Sequence, residues 1–342
     1  MAKKQKTKAK SKLTVLRTIE SFYPFMSGPA NQAYRISSEL EKRGIKSPVL
    51  TTNYKAGKAP RHQKIKGVEV FRFPIRWGFM KYLITPSMRK KLSKFDIIHA
   101  HNHRSYQTAI AFKAAKKYGK PFIINTHGSL LGYDHYLKGL AKIPYVIYDL
   151  FGGKNLIKKA DAVIVNSNEE YLDALRYGVK KSKIHLLPVG INVNDYSPLK
   201  KQKNTVKILF VGRISRNRNI EPIIRAAAIL KNKKQKQKII FTIVGGEAKS
   251  SDTSKSGYLA EMKLLTKNIS VDDIVQFVGE KRGDELKKEY RTADIFVYTS
   301  DSENFGQTIL EAGASGLPII CTPVGIAPEL ITDGKNGFLV KA

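Results

Sequence analysis

From Leu13 onward the apolar residues of this 342-residue chain fall into short, β-branched runs separated by helix-length amphipathic stretches. LTVLRTI (13–19) reads as a first strand, and Ala30 to Arg43, closed by Gly44, as its helix. SPVLTT, VEVFRF and FDIIHAH follow as strands, residues 104–118 as a helix ended by Gly119, and PFIINTH, ADAVIVNS and IHLLPVG as further strands. Strands separated by helices pair in parallel through crossovers, and the helices cover both faces of the sheet. The chain is longer than one hydrophobic core usually serves. INVNDYSPLKKQKNT, rich in Asn, Asp, Pro and Lys, interrupts the alternation as a linker does. The pattern restarts with VKILFVGR (206–213), KIIFTIVGG (238–246), IVQFVG (274–279), DIFVYTS (294–300) and LPIICTP (317–323). The expected fold is α/β, with two doubly wound parallel-sheet domains over residues 13–195 and 196–342. Their strand carboxyl ends are expected to face a common cleft.

Charge narrows the class. Of the net +33, residues 1–195 supply 25, with 37 basic against 12 acidic side chains. Six lysines lie in MAKKQKTKAKSK, so residues 1–12 read as a basic flexible tail. Such a tail is either a plain solvated arm or one drawn to anionic lipid headgroups and polyphosphates, at roughly 1 kcal/mol per nearby lysine. KNKKQKQK (231–238) reads as a solvated helix end. The single cysteine, Cys321, rules out a disulfide framework and fits a reducing compartment. With no membrane-length apolar run and no signal-peptide core, the expectation is a soluble, cytoplasmic protein able to sit peripherally on the inner face of the cell membrane. Charge alone also suggests nucleic-acid binding. The charge is spread over ordinary β-α units, however, with no zinc, helix-turn-helix or RNA-recognition motif, so no nucleic-acid partner is expected.

The stretch SDSENFGQTILEAGASGLPIICTPVG (300–325) carries the chemistry. Glu303 stands where a strand gives way to a loop, and Asn304, Phe305 and Gly306 lead into a helix over 307–315. A helix N-terminus offers free amide donors and a positive dipole end, suited to phosphate or sugar oxygens, and Gly306 lets backbone approach a ligand. A second carboxylate, Glu311, follows on that helix; it is either a diol-gripping group or a solvated helix residue. Arg213, directly after VKILFVG, and Arg218 place positive charge near the same strand ends, unless they are only surface charges.

The pattern Glu-x-Phe-Gly-x-x-x-x-Glu-Ala, Glu303 to Ala312, resembles the signature of glycosyltransferase family 4. Those are retaining enzymes of the GT-B fold, with two Rossmann-like domains facing a cleft. YPFMSGPANQAYRISSELEKRG, HAHNH, NTHGSL, VGRISRNRN, IVGGE, FVGE and PVGIAPELITDGKNGFLV stand in family order, so the resemblance covers roughly residues 13–342. It implies a catalytic set of His127, Arg213 and Glu303. It implies a donor-binding set of Gly28, Gly212, Arg213, Arg218, Gly245, Glu303, Asn304, Phe305, Gly306 and Glu311.

Within that resemblance, Glu303 accepts from donor-sugar hydroxyls, Glu311 holds the ribose hydroxyls, and Arg213 and Arg218 face the leaving diphosphate. His127 lies beside the sugar, or else is a structural cleft histidine. Gly245 lines the base, and the Gly28 amide approaches the donor phosphate. Two departures stand out: Arg218-Asn219 replaces the family's Lys-Gly, and Gly28-Pro29 replaces Gly-Gly, which removes one backbone donor. His99, His101 and His103 alternate as strand residues sharing one face. The spacing suggests a metal site, but the resemblance assigns them to cleft lining, with no metal and no cofactor beyond the nucleoside-diphosphate sugar that serves as donor substrate.

The resulting expectation is a retaining transferase moving a sugar to a lipid-linked or surface-glycan acceptor held by the basic first domain. The alternatives are a related GT-B epimerase or phosphorylase, or a nucleic-acid binder. LLGYDHYLKGLAKIPYVIYDLFGGKNLIKK (130–159) reads equally as a basic amphipathic membrane-facing surface or as a core-facing helix. By the same resemblance the chain stops at GKNGFLVKA, before the family's terminal helices, either as a fragment or as a protein without that brace.

Overall fold

The computed structural model describes residues 13–25, 27–79, 82–131, 139–197, 199, 204–233, 236–247 and 257–341. The basic tail 1–12, and residues 132–138 of the amphipathic stretch, lie outside them. The chain divides into two compact units, up to Pro188 and from Val189 on. The sequence places this boundary at 195/196. Val189 and Ile191 already pack against the second core, beside Tyr196, whose ring meets Tyr290 at 5.8 Å.

The first unit is built on β1 (Val15–Thr18), β2 (Val49–Thr52), β3 (His62–Ile65), β4 (Val68–Phe73), β7 (Ile97–His101), β8 (Phe122–Asn125), β9 (Ala162–Val165) and β10 (Ile184–Leu186), with β5 (Trp77–Phe79) and β6 (Tyr82–Ile84) as a separate antiparallel pair. The spatial order is β10-β9-β8-β7-β1-β2-β4-β3. Every neighbouring pair is parallel except the edge pair β3–β4. The chain runs outward from β1 in one direction and later resumes beside it at β7, so the strand order reverses there. That is where open α/β sheets collect functional side chains beyond their carboxyl ends.

The helices begin where side chains cap them. α1 (Gly28–Lys42) starts two residues before the sequence reading because Ser27 Oγ accepts from the Ala30 amide at 3.3 Å and Pro29 suits the first turn. α2 (Tyr106–Lys117) starts two residues late because Ser105 Oγ caps it, accepting from Thr108 N at 3.1 Å. α3 (Ile143–Tyr148), α4 (Lys154–Lys159) and α5 (Asn168–Arg176) follow.

The second unit carries β11 (Thr205–Val211), β12 (Lys238–Val244), β13 (Val275–Gly279), β14 (Ile295–Tyr298), β15 (Ile319–Cys321) and β16 (Gly337–Leu339) in the order β13-β12-β11-β14-β15-β16, all parallel. Its helices are α6 (Glu221–Asn232), α7 (Tyr258–Asn268), α8 (Gly283–Thr292), α9 (Gln307–Ala314) and α10 (Ala327–Leu330). The order reverses between β11 and β14. Leu209, Phe210, Ile243, Phe296 and Tyr298 are buried along this sheet, as expected for strands covered on both faces.

Candidate functional site

In the second unit the expected residues gather at the carboxyl ends of β11, β12 and β14. The Gly212 amide donates to Val244 O at 3.0 Å, and the Gly245 amide to Gly279 O at 2.9 Å. Gly245 has φ +148°, and a Cβ there would lie 1.8 Å from the Gly212 carbonyl oxygen. Only glycine lets these two strand ends approach so closely. Arg213 follows directly, exposed, with no ion pair among the described residues.

Arg218 sits differently. It is buried in the turn after β11, where Nη1 donates to Ser300 Oγ at 2.8 Å and Ser302 O at 2.6 Å, while Nη2 lies 2.5 Å from Glu303 Oε1. The planar fork of arginine spans three groups at once, which an ammonium does not, and this explains Arg218 where the family pattern has lysine. Its charge is already engaged by Glu303, whereas that of Arg213 is open. The Tyr298 hydroxyl also donates to Glu303 Oε1, at 2.6 Å, and the Asn304 amide to Oε2 at 3.2 Å. Burial, reinforced by the Glu303 carboxylate, pushes the Tyr298 phenol far above its ordinary pKa, so it remains a donor. Asn217 O accepts from Ser300 Oγ and from the Asp301 amide, each at 2.9 Å, and so ties the β11 loop to the β14 loop.

Gly306, at φ +81° and ψ 50°, is the left-handed residue that opens α9. Phe305 is buried and packs into the core. Its carbonyl accepts from the Ile326 amide at 2.7 Å, and a Cβ on Gly325 would come within 2.5 Å of that same oxygen. Asn304 is exposed. Glu311 is 5% exposed, accepts from Gln307 Nε2 at 2.7 Å, and faces the Tyr290 phenol, whose pKa burial and then Glu311 raise. It is therefore no solvated helix residue.

In the first unit the reversal point holds a column of stacked rings. His99 and His101 on β7 stack at 4.7 Å with 12° between their planes, and His127, after β8, stacks on His101 at 5.2 Å. His101 Nδ1 and His127 Nε2 are 2.9 Å apart. Arg17 on β1, 1% exposed, places Nη1 2.7 Å from His99 Nδ1 and 3.4 Å from His101 Nε2. The expectation that three histidines share one strand face holds for two. β7 ends at His101, and His103 Nε2 turns instead to the Tyr177 hydroxyl at 3.0 Å and Asp149 Oδ1 at 3.3 Å. Burial lowers the pKa of all four imidazoles, His103 to about 4 and His127 to about 3, so they are neutral near pH 7. Among the described residues no group of three or more His, Cys, Asp or Glu side chains is arranged to hold a metal ion.

Gly28 is exposed at the first position of α1, and a Cβ there would meet nothing within 4 Å, so packing does not demand glycine at this position. Among the residues of these constellations that escape the sequence reading are Tyr298, which orients Glu303, and Arg17. A charged residue inside the otherwise uncharged strand LTVLRTI is the signal that points to Arg17.

Comparison with known proteins gives matches over nearly the whole chain. The model described as Glycosyltransferase Family 4 matches residues 26–195, and that described as Glycosyl transferases group 1 matches residues 194–342. D-inositol 3-phosphate glycosyltransferase 2 of Catenulispora acidiphila is 29% identical over 261 residues, covering 72% of this chain and 59% of that protein. D-inositol 3-phosphate glycosyltransferase of Nocardiopsis dassonvillei is 25% identical, covering 90% of this chain and 76% of that protein. The chain thus spans about three fifths of the first relative's length. Among solved structures, sucrose-phosphate synthase from Thermosynechococcus elongatus superposes with a TM-score of 0.75 at 19% identity, covering 96% of this chain and 86% of that one. Anabaena HepE in complex with UDP and glucose superposes with a TM-score of 0.71 at 18% identity and the same coverage.

Proposed function

The chain belongs to the group 1, family 4-like glycosyltransferases of the GT-B fold, and from that premise we propose that it moves a sugar from a nucleoside-diphosphate donor to an acceptor hydroxyl with retention at the anomeric carbon. The observation that carries this is Glu303, held in one orientation by Arg218, Tyr298 and the Asn304 amide, with an open Arg213 on the adjoining strand end. A fixed carboxylate suits sugar hydroxyls, which are donors. Breaking a glycosyl–phosphate bond adds charge to the departing diphosphate, and a preplaced guanidinium stabilises it.

An ion-paired, doubly hydrogen-bonded carboxylate is a poor nucleophile. Glu303 therefore favours a reaction on one face of the sugar, in which the leaving diphosphate helps deprotonate the acceptor hydroxyl, over a covalent glycosyl-enzyme. Neutral His127 hydrogen-bonds the sugar, Glu311 the ribose, Gly245 the base, and Gly28 the donor phosphate. No metal ion or resident cofactor takes part. Arg213→Ala is expected to lower transfer by about 10²-fold or more with the fold kept, and excess EDTA to change nothing. Screening nucleoside-diphosphate sugars by thermal shift, then following product configuration by NMR, tests the reading. D-inositol 3-phosphate belongs among the acceptors tried, given the names of the relatives. Donor consumed without a glycosylated acceptor, or product formed only with free phosphate, sinks it.

The acceptor in this proposal is lipid-linked or a surface glycan, reached from an anionic membrane surface. Among the described residues no helix is long and apolar enough to cross a membrane. Support comes from α3 and the turn after it. Ile143, Val146, Ile147, Leu150 and Phe151 are all exposed, Phe151 at 88%, and Lys154, Lys158 and Lys159 lie exposed just beyond. These side chains face away from the core, whereas Leu130, Leu156 and Ile157 of the same stretch pack into it. An apolar face edged by lysines matches an anionic bilayer in both respects. The protein is expected to sediment with anionic but not neutral vesicles, and Leu150→Ser with Phe151→Ser to weaken this. No sedimentation at low salt ends the membrane proposal and leaves the transfer chemistry standing.

A further inference from the structure

We infer that Arg17 is a positioning residue that fixes the tautomer of His127 through His101, so that His127 carries its proton on Nδ1. The inference deepens the reading that His127 meets the donor sugar, and its first test does not depend on that reading.

A guanidinium has only donors, so a nitrogen facing it at hydrogen-bond distance must accept. Arg17 Nη1 faces His99 Nδ1 at 2.7 Å and His101 Nε2 at 3.4 Å, which leaves both nitrogens without a proton. Burial keeps His101 neutral, and its one proton is then on Nδ1. That N–H lies 2.9 Å from His127 Nε2, which accepts it. His127 is neutral through burial as well, and its proton is left on Nδ1. The reverse order would turn His101 Nε2–H toward the Arg17 N–H, two donors facing each other in a buried site.

The same logic puts the His99 proton on Nε2, a buried atom without a partner among the described residues, as is Arg17 Nε. Two orphaned donors and a guanidinium buried in a central strand cost stability that an aliphatic residue at position 17 would not. Local rules are broken in this way chiefly at functional sites. The geometry around His127 is otherwise fixed: its φ is +50°, and its amide donates to Asn125 Oδ1 at 3.3 Å. With backbone and ring both held, the position of the proton is the remaining variable, and Arg17 sets it.

The test is long-range ¹H–¹⁵N NMR on the full chain labelled with ¹⁵N-histidine. The expected result is Nδ1–H for His101 and His127 and Nε2–H for His99. In Arg17→Met, His101 and His127 are expected to shift toward Nε2–H, the tautomer a free imidazole prefers, while His103 and His62 signals stay unchanged and report an intact fold. Arg17→Lys keeps a donor and is expected to restore Nδ1–H. His101→Gln, whose oxygen accepts and whose amide donates, is expected to keep His127 as in the wild type, whereas His101→Phe is not. In transfer assays Arg17→Met is expected to lower kcat by about tenfold with the donor KM nearly unchanged. Nε2–H on His127 in the wild type, or an unaltered His127 in a folded Arg17→Met protein, overturns the inference. If Arg17→Met does not fold, the wild-type, Arg17→Lys and His101→Gln spectra decide. Absence of transfer in the wild-type protein overturns the functional reading instead and leaves the tautomer result to stand or fall by itself.

Discussion

Glu303→Leu is expected to lose both stability and transfer, and adding Arg218→Met to it to recover most of the stability and none of the transfer. The Arg218 and Glu303 side chains are 9% and 16% exposed and their charged atoms are 2.5 Å apart. Removing one partner of such a pair strands the other charge, at a cost of about 3–5 kcal/mol. Arg218 retains Ser300 Oγ and Ser302 O, so the lower end of that range applies. The buried Tyr298 hydroxyl loses its acceptor as well, which adds about 1 kcal/mol. Removing both charges takes away the desolvation that the pair had to overcome, so the double variant is limited mainly by Tyr298. Catalysis has no such compensation. A group that orients the sugar or stabilises charge in the transition state is worth about 10²–10³ in kcat, and Glu303 is absent from both variants. Urea midpoints and transfer rates of the two single variants and the double give the coupling directly. A double variant that regains transfer would make Glu303 a structural partner of Arg218 and nothing more.

Why the sequence discloses Glu303 but not its partners is a matter of range. Glu303 to Glu311 is a local pattern, and Gly306 announces its left-handed turn within the same ten residues. Arg218 and Ser300 are 82 positions apart, as are Arg17 and His99, and no local spacing records that one strand end will face another. The fold shows the same division. The carboxyl-terminal halves of β11 and β12, with β14 and β15, are buried or half-buried on both faces and so are written as near-continuous apolar runs. β3, reading HQKI on the sheet edge, is polar, and the three-residue β5, β6 and β16 are too short to show a strand period. The helix bounds shift by two residues at Ser27 and Ser105 because capping, not periodicity, decides where a helix starts. The HAHNH reading fails at His103 for a related reason: alternation applies only as far as the strand extends, and it stops at His101.

Acidification from pH 7 to pH 5 is expected to destabilise the first unit by roughly 5 kcal/mol, a large share of what holds an ordinary domain together. Four imidazoles there, His99, His101, His103 and His127, have folded pKa values below the ordinary 6.5 because burial disfavours their charged forms. Such a base contributes stability that is fully present above about pH 6.5 and is lost as the pH falls toward its folded value, at up to about 1.4 kcal/mol per pH unit for each ring. The window is therefore about pH 6.5 down to about 4, where His103 begins to protonate in the folded protein. Glu170 works in the opposite sense. Burial raises its folded pKa to about 7, so it favours the folded state increasingly as the pH drops from there toward 4.5. One carboxyl does not offset four imidazoles, and unfolding at pH 5 is expected to take up about three protons net. Asp149 has a lowered pKa, because its hydrogen bonds from His103, Arg104 and Tyr177 outweigh its burial, so its loss adds only below the ordinary carboxylate range. Denaturation midpoints at pH 7.5, 6 and 5 measure the slope, and His103→Gln is expected to remove about a third of it. Equal midpoints at pH 7.5 and 5 would mean that the imidazoles are charged in the folded protein, and that the Arg17–His101–His127 column is not the neutral chain on which the tautomer argument rests.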